Sequence, residues 1–87
     1  MWQEEIFTSC NRKVVYLAKV STEPFEDGID NGRIFKLGVD VDGEEVISYD
    51  RGWEMYPEDE SLEEILDQIL DRFQLKYRGQ KYLKFLP

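Results

Sequence analysis

Leu62, Ile65, Leu66, Ile69, Leu70 and Phe73 recur at three- and four-residue spacing, with Tyr77 one turn further. That period places all of them on one stripe of a helix and predicts an amphipathic element packed against something apolar. Ser61-Leu62-Glu63-Glu64 reads as a capping box, in which a hydroxyl and a carboxylate each accept from backbone N–H groups with no helical partner. The helix is therefore expected to start there, to stop at Gly79, and to be roughly 25 Å long from Leu62 to about Arg78.

Upstream the period changes from helical to alternating. Trp2, Ile6 and Thr8 share a side, with Phe7 opposite, which predicts an edge strand over 2–8. Ser9 to Arg12 turn the chain. Lys13 to Ser21 is rich in β-branched and aromatic residues and predicts a central strand buried on at least one face. Thr22 to Gly32, with Pro24, Gly28 and Asn31-Gly32, is the longest loop. From Ile34 to Asp40, alternation puts Phe35, Leu37 and Val39 on one side of a half-buried antiparallel strand.

The next turn has two solutions. A two-residue turn at Asp42-Gly43 sets Leu37 opposite Ser48 and wastes the apolar side chains. A three-residue loop followed by a bulge sets Leu37 near Ile47 and Phe35 near Tyr49. A one-residue slip inverts every side chain, so the three-residue loop is expected. The fold expectation is α+β: an antiparallel four-stranded meander with one C-terminal amphipathic helix on one face. Gln80 to Leu86 is left as a short fifth strand or a pinned tail.

At 87 residues the chain has room for a single domain, 1–87, and its 41% hydrophobic content supports a packed core. No apolar run is long enough for a membrane helix. One cysteine, Cys10, and no apparent leader point to a reducing cytoplasm. There are no histidines, so the usual proton shuttle and the commonest transition-metal ligand are both missing. With one Cys and no His neither a zinc centre nor a nucleophile–His pair can be assembled, and the expectation is a non-enzymatic protein with no cofactor. Asp40, Asp42 and Glu44 around Gly43 suggest part of a calcium loop, but the twelve-residue ligand spacing is lacking and turn chemistry explains them.

Charge sharpens the functional expectation. The formal net charge is -8, which repels phosphate backbones and anionic lipid in general. Over 54–87 the signs are sorted: Glu54, Glu58, Asp59, Glu60, Glu63, Glu64, Asp67 and Asp71 precede Arg72, Lys76, Arg78, Lys81 and Lys84. Such sorting complements the helix macrodipole, and it also makes a negative surface that a basic partner can read. The candidate partner-binding residues are therefore Asp50, Arg51, Trp53, Glu54, Glu63, Glu64, Asp67 and Asp71. The first three form a corner of interface-prone residue types; the plainer reading is that Trp53 plugs the gap between sheet and helix. The sharper expectation is a small acidic inhibitor that mimics nucleic acid in the basic groove of a nuclease. Its rivals are direct nucleic-acid binding, in which the basic residues of the tail interleave with Tyr77, Tyr82 and Phe85, and a homodimer through the uncovered sheet face at Val14, Ile34 or Val46.

Two motifs carry a resemblance. Gly28-Ile29-Asp30-Asn31-Gly32-Arg33-Ile34-Phe35-Lys36-Leu37 and Tyr49-Asp50-Arg51-Gly52-Trp53-Glu54, followed by the amphipathic helix, resemble a small uncharacterised bacterial and prophage domain over about residues 13 to 74. That family opens a strand with Gly-Ile-x-Gly-Gly-Arg-Ile-Ser-Lys-Leu and carries a Tyr-Asp-Arg-Gly-Trp-Asp box. The chain departs from it at Asn31, Phe35 and Glu54, and the tail after Gly79 lies outside the match. The resemblance implies the fold and a mobile-element setting, and it brings no activity with it.

Overall fold

The computed structural model describes residues 2–24 and 26–85, with side chains described as far as Phe73. Five antiparallel strands, β1 (Trp2–Ser9), β2 (Arg12–Val20), β3 (Ile34–Val41), β4 (Glu44–Asp50) and β5 (Trp53–Met55), lie side by side in chain order. One helix, α1 (Glu60–Phe85), covers one face, so the class is α+β. The fifth strand is Trp53–Met55. The segment proposed for that role, 80–86, continues the helix through Phe85, and Gly79 does not stop it. A mid-helix glycine costs about 1 kcal/mol, which the twenty-five other helical residues can absorb.

Local chemistry sets each turn. Cys10 and Asn11 take φ of 52° and 65°, and Asp42 and Gly43 take 51° and 87°, the paired positive values that tight hairpins need. The β3–β4 loop therefore has two residues, not the expected three, with Val41 opposite Glu44 and Asp40 opposite Glu45. One extra residue, Val46, then enters β4, and beyond it Val39 faces Ile47 and Leu37 faces Tyr49. The bulge lies within the strand and not in the loop, so Leu37, Val39, Ile47 and Tyr49 face inward as expected but with partners two positions out of the expected register. Phe35, expected on the same side, is not in the core, and its ring centroid lies 6.0 Å from Lys19 Nζ. A second irregularity pairs Lys19 with Lys36 but Val20 with Ile34, leaving Phe35 as the extra residue. Both Ile34 and Leu37 consequently point into the core.

The core lies between the sheet and α1. From β2 come Val14, Tyr16, Ala18 and Val20, from β3 Ile34, Leu37, Val39 and Val41, from β4 Ile47 and Tyr49, and from the helix Leu62, Ile65, Leu66, Ile69 and Leu70. Each large apolar side chain buried this way contributes about 1.5–3 kcal/mol. Ile29, in a single 3-10 turn (Ile29–Asn31), closes one end. The helix begins two residues earlier than its serine suggests: Asp59 Oδ1 accepts from Leu62 N at 2.9 Å and from Ser61 Oγ at 2.7 Å. Asp59 is thus the N-cap, and Ser61 serves it.

Candidate functional site

The inward stripe of α1 fixes where its acids go. Glu60, Glu63, Glu64 and Asp67 are exposed on the outer side, and none pairs with another described side chain. Asp71 is half-buried and engaged, so it drops out of this free row. Asp59 is occupied as the cap, with its carboxyl held below the ordinary value of 3.8 by the Ser61 hydroxyl and the Leu62 N–H. From Glu60 to Asp67 the axial rise is about 10.5 Å, or about 3.5 Å per charge interval. A single strand of B-form DNA presents about one charge per 3.4 Å.

Arg72, the one base of α1 whose side chain is described, does not pair with this row. Arg72 turns toward β1: its Nε donates to Glu5 Oε1 at 2.6 Å, its Nη1 to the Gln68 carbonyl at 2.6 Å, and its guanidinium lies 4.2 Å from the Phe7 ring centroid. Tyr16 donates to the same Glu5 oxygen at 2.7 Å. The tyrosine hydroxyl, seconded by Arg72, holds Glu5 below its ordinary 4.5, while burial, with help from Glu5, pushes the Tyr16 hydroxyl up. This flank of α1 is sewn to the sheet, with Gln68 reaching Ser9 at 3.3 Å and Arg12 reaching Ser61 at 3.2 Å. The remaining bases and aromatics of the proposed nucleic-acid tail, Lys76 to Phe85, have side chains outside the described residues.

The corner residues do not join the acidic row. Alternation along β4 and β5 sends Asp50 and Glu54 to the open face of the sheet, away from α1. There Asp50 pairs with Lys36 at 3.6 Å and Glu54 accepts from Ser48 at 2.7 Å. Arg51 caps the β4–β5 turn with its guanidinium 6.0 Å from the Phe35 ring centroid and its N–H donating to the Phe35 carbonyl at 3.0 Å. Its φ of 57° is unusual for a residue that is not Gly, Asn or Asp. Trp53 does not plug the gap between sheet and helix. It is 39% exposed and stacks edge-on between Tyr49 and Tyr56 at 4.9 Å from each. The expected continuous surface therefore divides into an outer helix row of Glu63, Glu64 and Asp67, joined by Glu60, and a separate corner of Asp50, Arg51 and Glu54 behind the sheet.

The open face holds what sequence reasoning missed. Trp2, Ile6 and Leu17 are 49%, 61% and 43% exposed there, whereas of the three residues expected on it Val14 and Ile34 are fully buried under α1 and Val46 packs, partly buried, against the same core. The same alternation occurs on both sides of a strand, and the sequence alone did not show which side the helix takes. Lys19 Nζ lies 5.3 Å from the Trp2 ring centroid and Lys36 Nζ 5.9 Å from it. A hollow of about 200 Å³ over Gly38 is lined by Trp2, Leu17, Lys36, Glu45 and Asp50. That is below the ~300–1,000 Å³ of ordinary small-molecule sites. Among the described residues no three His, Cys, Asp or Glu side chains are grouped to hold a metal. The turn aspartate Asp42 is already used, accepting from Lys13 N at 2.9 Å and lying 3.9 Å from Arg12. No described helix is long and apolar enough to cross a membrane.

A family model described as a domain of unknown function, DUF7678, matches residues 1–74. The chain belongs to this family. The matched DUF7678 span includes the whole sheet, the free acidic row of α1 and the open face. No curated protein and no solved structure matches the chain. Within the DUF7678 span, Arg33 acts as a structural tie that the sequence reading left without a role. Its Nε donates to the Ser21 carbonyl at 2.9 Å and its Nη1 to the Phe73 carbonyl at 3.0 Å, joining loop, sheet and helix. Asn31 sits at φ 56°, a left-handed position where glycine is the alternative. Tyr49 donates to the Asp27 carbonyl at 2.7 Å, and burial followed by the charges of Asp27 and Asp30 pushes its hydroxyl up.

Proposed function

We propose that this domain is a non-enzymatic binding module whose acidic helix face docks on a basic surface of a protein partner. The observation that carries the reading is the row Glu60, Glu63, Glu64 and Asp67, exposed and unpaired among the described residues while neighbouring Asp59, Asp71 and Glu5 are engaged. Glu60 and Glu63 in the first turn gain from the helix dipole, but Glu64 and Asp67 lie beyond it, where like charges at i,i+3 and i,i+4 cost an isolated helix about 0.2–0.5 kcal/mol per pair. The finer proposal is an inhibitor of a host nuclease, of the kind mobile elements use. The charge interval close to that of one DNA strand supports mimicry of nucleic acid.

The test is capture by the immobilised domain from host extract, with and without duplex DNA as competitor. The account expects a basic nucleic-acid-binding protein that duplex DNA displaces, and no capture by the Glu60→Gln/Glu64→Gln/Asp67→Asn variant. An unchanged set of captured proteins on that variant, or a partner indifferent to DNA, would falsify mimicry by this row.

A further inference from the structure

The open face of the sheet lays out its side chains in rows across the strands, and those rows complement one another. Trp2, Lys19, Lys36 and Asp50 are register partners in one row. Glu4, Leu17, Gly38 and Ser48 form the next, and Ile6, Val15, Asp40 and Glu45 the third. We propose that this face is a self-complementary interface that takes a second copy of the chain, the two-fold axis running along the Glu4–Leu17–Gly38–Ser48 row.

An axis lying in that row exchanges the rows on either side of it and keeps each strand over its own counterpart. Trp2 then covers Ile6 of the second copy, Lys36 meets Asp40 of the second copy, and the two Leu17 side chains meet at the centre. The Trp2–Ile6 and Lys36–Asp40 contacts each occur twice, and the Leu17 contact, which lies on the axis, occurs once. The absent side chain at Gly38 leaves the hollow of about 200 Å³ into which each Leu17 can lean. Trp2, Ile6 and Leu17 are three of the six large apolar side chains exposed among the described residues, and this packing covers all three.

Strand spacing of about 4.8 Å and rise of about 3.3 Å per residue give the face roughly 500–600 Å². A standard interface buries about 800 Å² per partner, so the smaller area suits a weak, reversible dimer. The like-charge contacts Glu4 with Glu4 and Asp50 with Glu45 fall toward the rim and keep the affinity low. Both helices face outward in this dimer, so their acidic rows remain free for the partner proposed above, and the two proposals fail independently.

Sedimentation equilibrium over a wide concentration range, up to the solubility limit, tests it. Wild type is expected to pass from monomer to dimer, and Leu17→Lys to weaken the dimer more than tenfold. Lys36→Asp and Asp40→Lys each weaken it, and the double reversal restores it. Within one copy these residues are four apart on β3, about 13 Å, so rescue can only come from contacts between copies. The acidic-row variant should dimerise like wild type. A monomer at every concentration, a dimer indifferent to Leu17→Lys, or a double reversal no better than the singles overturns the proposal. So does a monomer whose Trp2 and Lys36 face binds single-stranded oligonucleotide instead.

Discussion

The two faces of this sheet are built from the same strands by the same alternation, yet they differ in burial and in side-chain chemistry. The face under α1 is apolar at nearly every position from Val14 to Tyr49. The other mixes Trp2, Ile6 and Leu17 with lysines and acids and remains in solvent. The helix repeats the contrast, with a closed stripe inward and an unpaired acidic row outward. Stability therefore resides on the inner surfaces, and the outer ones are free to serve recognition.

The largest effect that can break this comparison is a cavity on the inner side. Ile69 is fully buried, and Ile69→Ala should lower unfolding free energy by about 2–5 kcal/mol in urea denaturation. Leu17→Ala on the open face should cost well under half as much. Equal losses would mean that the two faces are not energetically distinct.

That division was only partly legible in the chain. The helical stripe, β2 and the antiparallel order follow from periods that extend over many residues. The register of β3 on β4 does not, because the Val46 bulge keeps Leu37, Val39, Ile47 and Tyr49 inward while shifting their partners by two, and the irregularity at Phe35 takes that residue out of the inward set. A three-residue strand such as Trp53–Met55 is too short to show a period, and the capping box read at Ser61 gives no sign that Asp59, two residues earlier, takes the cap while the serine hydroxyl donates to its carboxylate. The acidic row was visible as composition. Its separation from Asp50, Arg51 and Glu54 was not, since it depends on which side of the sheet the helix packs.

A smaller effect concerns the seam between the faces. Glu5→Gln weakens the charge-assisted contacts to Tyr16 and Arg72 at a partly exposed edge, an expected loss of about 1 kcal/mol after screening. The Glu5 carboxyl is held below its ordinary 4.5, so its contribution is fully present above that pH and is lost as pH falls through the depressed value. The gap between wild type and Glu5→Gln should therefore be constant near neutrality and close in acid. A gap that widened in acid would contradict the seam.

The hairpin tips should respond in the opposite direction. Cys10 and Arg51 hold positive φ without the help that Asn or Asp side chains give. Cys10→Gly and Arg51→Gly are each expected to stabilise by about 0.5–1 kcal/mol, measured as a rise in thermal midpoint. At the helix start Asp59→Ala should lower the midpoint more than Ser61→Ala, which the reverse order would refute.

The smallest stability effect is expected where the functional effect is largest. Glu60→Gln/Glu64→Gln/Asp67→Asn should leave unfolding free energy within about 0.5 kcal/mol per site of wild type. The decisive measurement is the affinity of this variant and of wild type for the captured partner, compared at about 50 and 500 mM salt, conditions that shorten the Debye length from roughly 14 to 4 Å. The account predicts that wild type binds tightly at low salt and loses most of that affinity at high salt, while the variant binds weakly at both. Equal affinity of the two proteins at low salt, with both folded, would show that the outer acids of α1 are only a solvated surface.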